Sequence, residues 1–119
     1  VTGHVTKLKR AYDDPAGDDG WRVLVDRLWP RGVSRERAAI DDWAKEVAPS
    51  PELRTDWHHD PDRFDEFARR YRAELDDNPA VDALRAGLAD HPVVTLVYGA
   101  RDEQHNHAVV LRDYLEERW

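Results

Sequence analysis

An α/β domain is what this sequence predicts: a small, partly parallel sheet of about three or four strands, covered by helices and ending strand–loop–helix. Three observations predict it. Val93–Tyr98 is an unbroken apolar and β-branched run bounded by Pro92 and Gly99, the composition of a buried strand. Residues 21–26 form a second apolar run, with Val23 and Val25 on one face and Leu24 on the other. A strand apolar on both faces belongs in the middle of a covered sheet. Between these runs lies a long stretch with helical spacing, and a helical crossover of that kind joins parallel strands.

In chain order, residues 5–12 alternate apolar and polar side chains, the period of a half-exposed strand. Residues 13–20 hold Asp, Pro and Gly and read as a loop. After the strand at 21–26, Ser34 suits the N-cap of a short helical turn over 35–39. Residues 40–47 admit two readings: Trp43 and Val47 fit one helical face, and a third strand fits as well. Ser50-Pro51-Glu52 combines a capping hydroxyl, a first-turn proline and a carboxylate at the positive end of the dipole, which predicts a helix over 51–58. Asp60-Pro61 repeats the signal, and Phe64, Phe67, Ala68, Tyr71 and Leu75 then recur at helical spacing. Asn78-Pro79 opens another helix with Val81, Leu84 and Leu88 inward. The last helix is predicted over 104–117, its buried stripe formed by Ala108, Leu111 and Leu115 with Val110 and Tyr114 alongside.

The chain has 119 residues, the size of one domain able to bury a core without staples. It contains no cysteine, which excludes disulfides, a thiol nucleophile and Cys-based zinc sites. No apolar run reaches the roughly 20 residues of a membrane span and no signal-peptide pattern is visible, so a soluble cytoplasmic protein is expected. A net charge of −7 argues against a general nucleic-acid-binding surface. The first third is nonetheless locally basic, through Lys7, Lys9, Arg10, Arg22, Arg27, Arg31, Arg35 and Arg37. The preference for Arg over Lys and Asp over Glu fits a GC-rich genome or adaptation to high salt, and speaks of surface solvation. The first four residues read as a processed end, and His4 is left out of the site.

Two segments carry chemistry. The first is Asp26-Arg27-Leu28-Trp29-Pro30-Arg31-Gly32, directly after the second strand, where open α/β sheets place ligand sites. Guanidinium groups bind phosphate or carboxylate bidentately and an indole offers a stacking face. The same residues could instead brace a loop, as an Asp–Arg pair over a buried Trp29. The second segment, Gly99 to His107, joins the last strand to the last helix. Unpaired N–H groups at a helix start attract anions, Arg101 can add charge, and His105, Asn106 and His107 are expected in the first helical turn. A helix N-terminus favours neutral imidazole, which can donate a hydrogen bond or act as a base. Simple capping with a packed His107 is the plainer account.

His105 and His107 with His58, His59 and Asp60 were weighed as metal ligands, but residues two apart on a helix diverge, and exposure explains His58 and His59 more simply. No metal site is expected, and no motif asks for a cofactor. Adjacent acids such as Asp41-Asp42 fall on different faces and read as solvated surface. Neither a phosphate loop, a dinucleotide fingerprint nor a serine elbow is present.

The 26–32 string, Trp43, Ala48-Pro49-Ser50 with Leu53-Arg54, Phe67 with Tyr71 and Glu74-Leu75, and His105-Asn106-His107-Ala108 occur in an order that closely resembles domain of unknown function family 488, in its short single-domain branch. The resemblance covers nearly the whole chain. It implies a compact α/β domain and brings no established reaction. It also implies a departure: other branches carry a cysteine at the end of the last strand and a Cys-His-Arg triplet opening the last helix. The matching positions here are Tyr98 and Asn106, His107, Ala108, so only His107 is kept.

Three functions are open at this point. A small anionic ligand (phosphate, nucleotide or carboxylate) could be held by Arg27, Arg31 and Arg101 between Trp29 and Tyr98, with His105 and Asn106 nearby. His107 or Asp26 would be the acid–base group if the protein is a hydrolase or transferase. A nucleic-acid-associated accessory protein would use the basic first third, with Trp29 stacking a base. A protein–protein adaptor would use exposed Trp57 and Trp119. The first requires the turn after residue 26 and the turn before His107 to open on the same side of the sheet.

Overall fold

The computed structural model describes residues 5–118; the first four residues and Trp119, with the adaptor role considered for it, lie outside them. Four strands, β1 (Val5–Arg10), β2 (Trp21–Leu24), β3 (Asp42–Trp43) and β4 (Val93–Tyr98), form one sheet in the order β1-β4-β2-β3. Every pairing is parallel, beyond the partly parallel sheet expected. The helices are α1 (Arg35–Ala38), α2 (Pro51–Trp57), α3 (Phe64–Asp76), α4 (Pro79–Leu88) and α5 (His107–Glu116). None is long and apolar enough to cross a membrane among the described residues.

Alternation along the central strands divides the core. Val23, Val25, Val94, Leu96 and Tyr98 join one large cluster with Leu53, Trp57, Phe67, Tyr71, Leu88 and Leu111 from the long helices. Leu24 and Val97 point to the other face, where Ala11, Trp29, Ile40 and Trp43 close a smaller cluster. Burying each large aliphatic side chain contributes roughly 1.5–3 kcal/mol, so the thick helical layer carries most of the hydrophobic stabilisation.

The start signals act as their chemistry requires. Ser34, Ser50, Asp60 and Asn78 each accept a backbone N–H at the beginning of a helical segment. Strand β1 is shorter than 5–12 and β2 shorter than 21–26, although Ala11 N–H and Val25 N–H still reach the Tyr98 and Val97 carbonyls of β4. Residues 40–47 satisfy both readings in part, with the two-residue β3 followed by a 3-10 turn at Lys45–Val47. The last helix begins at His107, not 104. Asp102 Oδ1 accepts the N–H groups of Gln104 and His105 at 2.9 Å each, holding a turn ahead of the helix. Only His107 of the three polar residues is therefore helical.

Trp57 is a correction: it is buried, not exposed. His58 ends α2 in the left-handed conformation (φ 53°) and His59 follows at φ 54°. Trp57 stacks on Phe67 with ring centroids 4.0 Å apart, and its indole N–H donates to the Asp60 carbonyl at 2.7 Å. The core takes the indole, and an adaptor surface built on it is lost.

The basic first third is also changed by folding. Arg22 is only 4 % exposed. Its guanidinium donates to Asp19 at 2.6 Å and to the Ala38 carbonyl at 2.8 Å. Lys9 joins Asp19 at 3.1 Å, Lys7 pairs with Asp18 and Arg37 with Asp14. Burial works to raise the Asp19 carboxyl, but hydrogen bonds from Ala16 N–H, Lys9 and Arg22 outweigh it and hold the group below its ordinary range.

Candidate functional site

Because all strands run the same way, the loops leaving β1, β2 and β4 emerge at one edge of the sheet. The insertion of β4 between β1 and β2 makes those loops neighbours. Asp26, just past β2, accepts the Gly99 N–H just past β4 through Oδ2 at 2.9 Å. A methyl group on Gly99 would stand 3.0 Å from that oxygen, so a larger residue there would press on the Asp26 carboxylate. The two turns thus open together, which meets the spatial requirement set by the sequence.

Asn106 fixes the other side. Fully buried, it caps α5 by accepting Val109 N–H at 3.1 Å and donates to the Asp102 carbonyl at 2.8 Å. That sets His107 in the first helical position, with Nε2 3.1 Å from the Val25 carbonyl and 3.1 Å from Asp26 Oδ1. One N–H cannot point at both acceptors, and its direction serves Val25. Asp26 Oδ1 is left with no hydrogen-bond donor despite its short distance to the ring.

The facing wall is residues 47–50, and α3 clamps it. Tyr71 donates its buried hydroxyl to the Val47 carbonyl at 2.5 Å. Glu74 accepts Ser50 N–H at 2.9 Å and the Ser50 hydroxyl at 2.6 Å. Burial pushes the Tyr71 phenol far above its ordinary range, with the charges of Glu74 and Asp26 adding to the push, so it remains a donor. The clamped wall presents the Pro49 carbonyl to Arg27 at 3.3 Å.

A cleft of about 300 Å³ lies between these parts. Asp26, Arg27, Arg54, His59 and His107 supply its polar lining, while Tyr12, Leu28, Trp29, Pro30, Ala48 and Pro49 supply apolar surface. Arg54 makes no side-chain hydrogen bond or ion pair among the described residues, and the Nε groups of both Arg27 and Arg54 lack acceptors. Partial burial pushes His59 below its ordinary imidazole range, and the nearby His107 and Arg54 reinforce the shift against the opposing charge of Asp26.

Of the residues expected to form a site, Asp26, Arg27, Trp29 and His107 meet in this cleft, and Arg31, Tyr98, Arg101, His105 and Asn106 do not line it. Arg31 and Arg101 are exposed on their loops. Tyr98 points into the helical core. His105 is held by Asp102 at 2.9 Å and meets the Phe64 ring edge-on, while Asn106 is committed to capping. The Asp–Arg brace does not form with either arginine of the 26–32 string: Asp26 faces His107, Arg27 reaches Pro49 and Arg31 is exposed. Trp29 shares both roles, since its indole N–H ties Val33 at 2.7 Å and it meets Trp43 edge-on. Sequence reasoning missed Arg54 and considered His59 only as a metal ligand. Arg54 lay inside a string used for the family resemblance, and the left-handed turn that brings His59 to the rim has no glycine to announce it.

The fold and cleft define a small parallel α/β domain with a cationic, partly aromatic pocket at its strand ends. The family model described as "Inactive DUF488-N3 subclade" matches residues 5–119, and the chain belongs to the DUF488 family. It is 47 % identical over 112 residues to the uncharacterized protein Rv3073c of Mycobacterium tuberculosis and to Mb3100c of Mycobacterium bovis, covering 94 % of each chain. It is 42 % identical over 109 residues to the uncharacterized protein YeaO of Escherichia coli, covering 92 % of this chain and 95 % of that one. No solved structure matches the chain.

Proposed function

We propose that this protein binds a small anionic molecule (a phosphate, nucleotide or carboxylate) in the strand-end cleft, without turning it over. One observation carries the reading. Four buried side-chain polar atoms lack a hydrogen-bond partner among the described residues, and three of them belong to Asp26, Arg27 and Arg54, which line this one cleft. Half-buried guanidinium groups without a counter-charge are costly unless a ligand completes them. Binding without turnover is favoured because His107 Nε2 serves the Val25 carbonyl. The matching subclade is also described as inactive. A nucleic-acid role loses its support where Lys7, Lys9, Arg22 and Arg37 are paired with carboxylates.

Calorimetric titration with inorganic phosphate and with sulfate tests this. Saturable binding is expected, and Arg54→Ala should weaken it by about tenfold or more, near 1.4 kcal/mol. Sulfate keeps its charge between pH 8 and 6, so any pH dependence there belongs to the protein. A bound anion should raise the depressed His59 titration, so sulfate binding should tighten as pH falls and take up protons. Absence of saturable binding for all small phosphates, sulfates and carboxylates would overturn the proposal.

A further inference from the structure

The lining of the cleft is bipolar, and that narrows the occupant. Arg27 and Arg54 attract an anion, while Asp26, on the same wall as His107, repels one. A carboxylate can satisfy the guanidinium groups but brings no donor for the Asp26 carboxylate, and inorganic phosphate brings its hydroxyl only on the charged group itself. The occupant that suits both kinds of group carries an anionic group and, apart from it, hydroxyl or N–H donors.

A third demand comes from the mouth. Among the described residues only three large hydrophobic side chains are strongly exposed: Val5, Tyr12 at 37 % and Leu28 at 68 %. Two of them, Tyr12 and Leu28, line this cleft, beside Trp29 and Pro30. Tyr12 is held in place, its hydroxyl donating to the Arg31 carbonyl at 3.1 Å and Arg10 lying over its ring at 5.2 Å. A fixed aromatic ring and an exposed leucine at the rim of a charged cleft offer apolar contact to a flat body reaching outward. The volume, about 300 Å³, is at the small end for ligand sites and suits a mononucleotide better than a dinucleotide.

From these three demands we infer that the cleft takes a nucleoside monophosphate: the phosphate on Arg27 and Arg54, the ribose hydroxyls toward Asp26, and the base against Tyr12 and Leu28. This rests on the anion-binding reading and specifies it. Planar stacking and hydroxyl recognition supply the selectivity, whereas the guanidinium groups supply attraction common to any phosphate.

The test titrates the full chain with inorganic phosphate, ribose 5-phosphate, purine and pyrimidine nucleoside 5′-monophosphates, and a 2′,3′-dideoxynucleoside 5′-monophosphate. At least one ribonucleoside monophosphate should bind about tenfold or more tighter than inorganic phosphate, and ribose 5-phosphate should fall between them. The dideoxy compound should lose part of the gain. Leu28→Ala, at an exposed position that leaves the core untouched, should reduce the nucleotide advantage while inorganic phosphate binds as before. Equal affinity for inorganic phosphate and every nucleotide overturns this inference and leaves the anion site standing. Failure of every compound in the series to bind overturns this inference, and failure of sulfate and small carboxylates as well overturns the anion site with it. Undiminished dideoxy binding removes the hydroxyl assignment, and an unchanged Leu28→Ala preference removes the base-facing wall.

Discussion

Arg22 and Arg27 leave the same stretch of chain five residues apart and meet opposite surroundings. Arg22 is buried against Asp19 and the Ala38 and Ala39 carbonyls, with hydrogen bonds of 2.6–3.2 Å. Arg27 has one carbonyl at 3.3 Å and an Nε with no acceptor, and Arg54 beside the same cleft has still less. A buried charge with every nitrogen hydrogen-bonded holds the frame; a half-buried charge with nitrogens to spare is available for something else. The difference separates an arginine that is spent on the frame from two, Arg27 and Arg54, that are not.

The comparison can be broken experimentally, and the largest effect is expected on the framework side. Arg22→Met leaves Asp19 buried with Lys9 as its remaining cationic partner, and should lower unfolding free energy by about 3 kcal/mol in urea denaturation. A loss near zero would mean that Arg22 is no more structural than Arg27. A smaller effect should appear in acid. The folded Asp19 carboxyl titrates below its unfolded value, so its contribution is complete above about pH 5 and disappears as pH falls through the folded value. Asp19→Asn should therefore be less stable than the parent at neutral pH, with the gap closing toward pH 3. Parallel acid limbs would show that Asp19 is not the group responsible. The smallest changes belong to the cleft: Arg27→Ala should shift unliganded stability by no more than about 0.5 kcal/mol while weakening phosphate binding. Arg31→Ala, on the exposed loop, should alter neither.

Much of the fold was legible because local chemistry agreed with global packing. Ser50 and Asn78 cap where a short polar side chain precedes proline, and the two apolar faces of residues 23–25 place β2 inside the sheet. The order β1-β4-β2-β3 was not legible, since every neighbour of β4 lies far away in sequence. The site was half legible for the same reason. Asp26, Arg27 and Trp29 follow a readable strand, and His107 a readable loop, but Arg54 and His59 come from the far end of α2 and enter the cleft only through tertiary packing. Tyr98 was misplaced because strand residues alternate: the last residue of β4 faces the helices, and the loop beyond it reaches the cleft. Asp102 delayed α5 by making its own turn, a competition that a helix-start pattern does not reveal.

The strand that sits between β1 and β2 is also the last of the four in chain order among the described residues. Until Val93 to Tyr98 leave the ribosome, the flanking strands have a vacant slot between them, with main-chain donors and acceptors facing it. Formation of the cleft thus waits for β4: a chain interrupted before it can contain Arg27 and Arg54 and still have no cleft. The same arrangement ties the shape of the cleft to pairings between strands far apart in sequence, from β1 to β4.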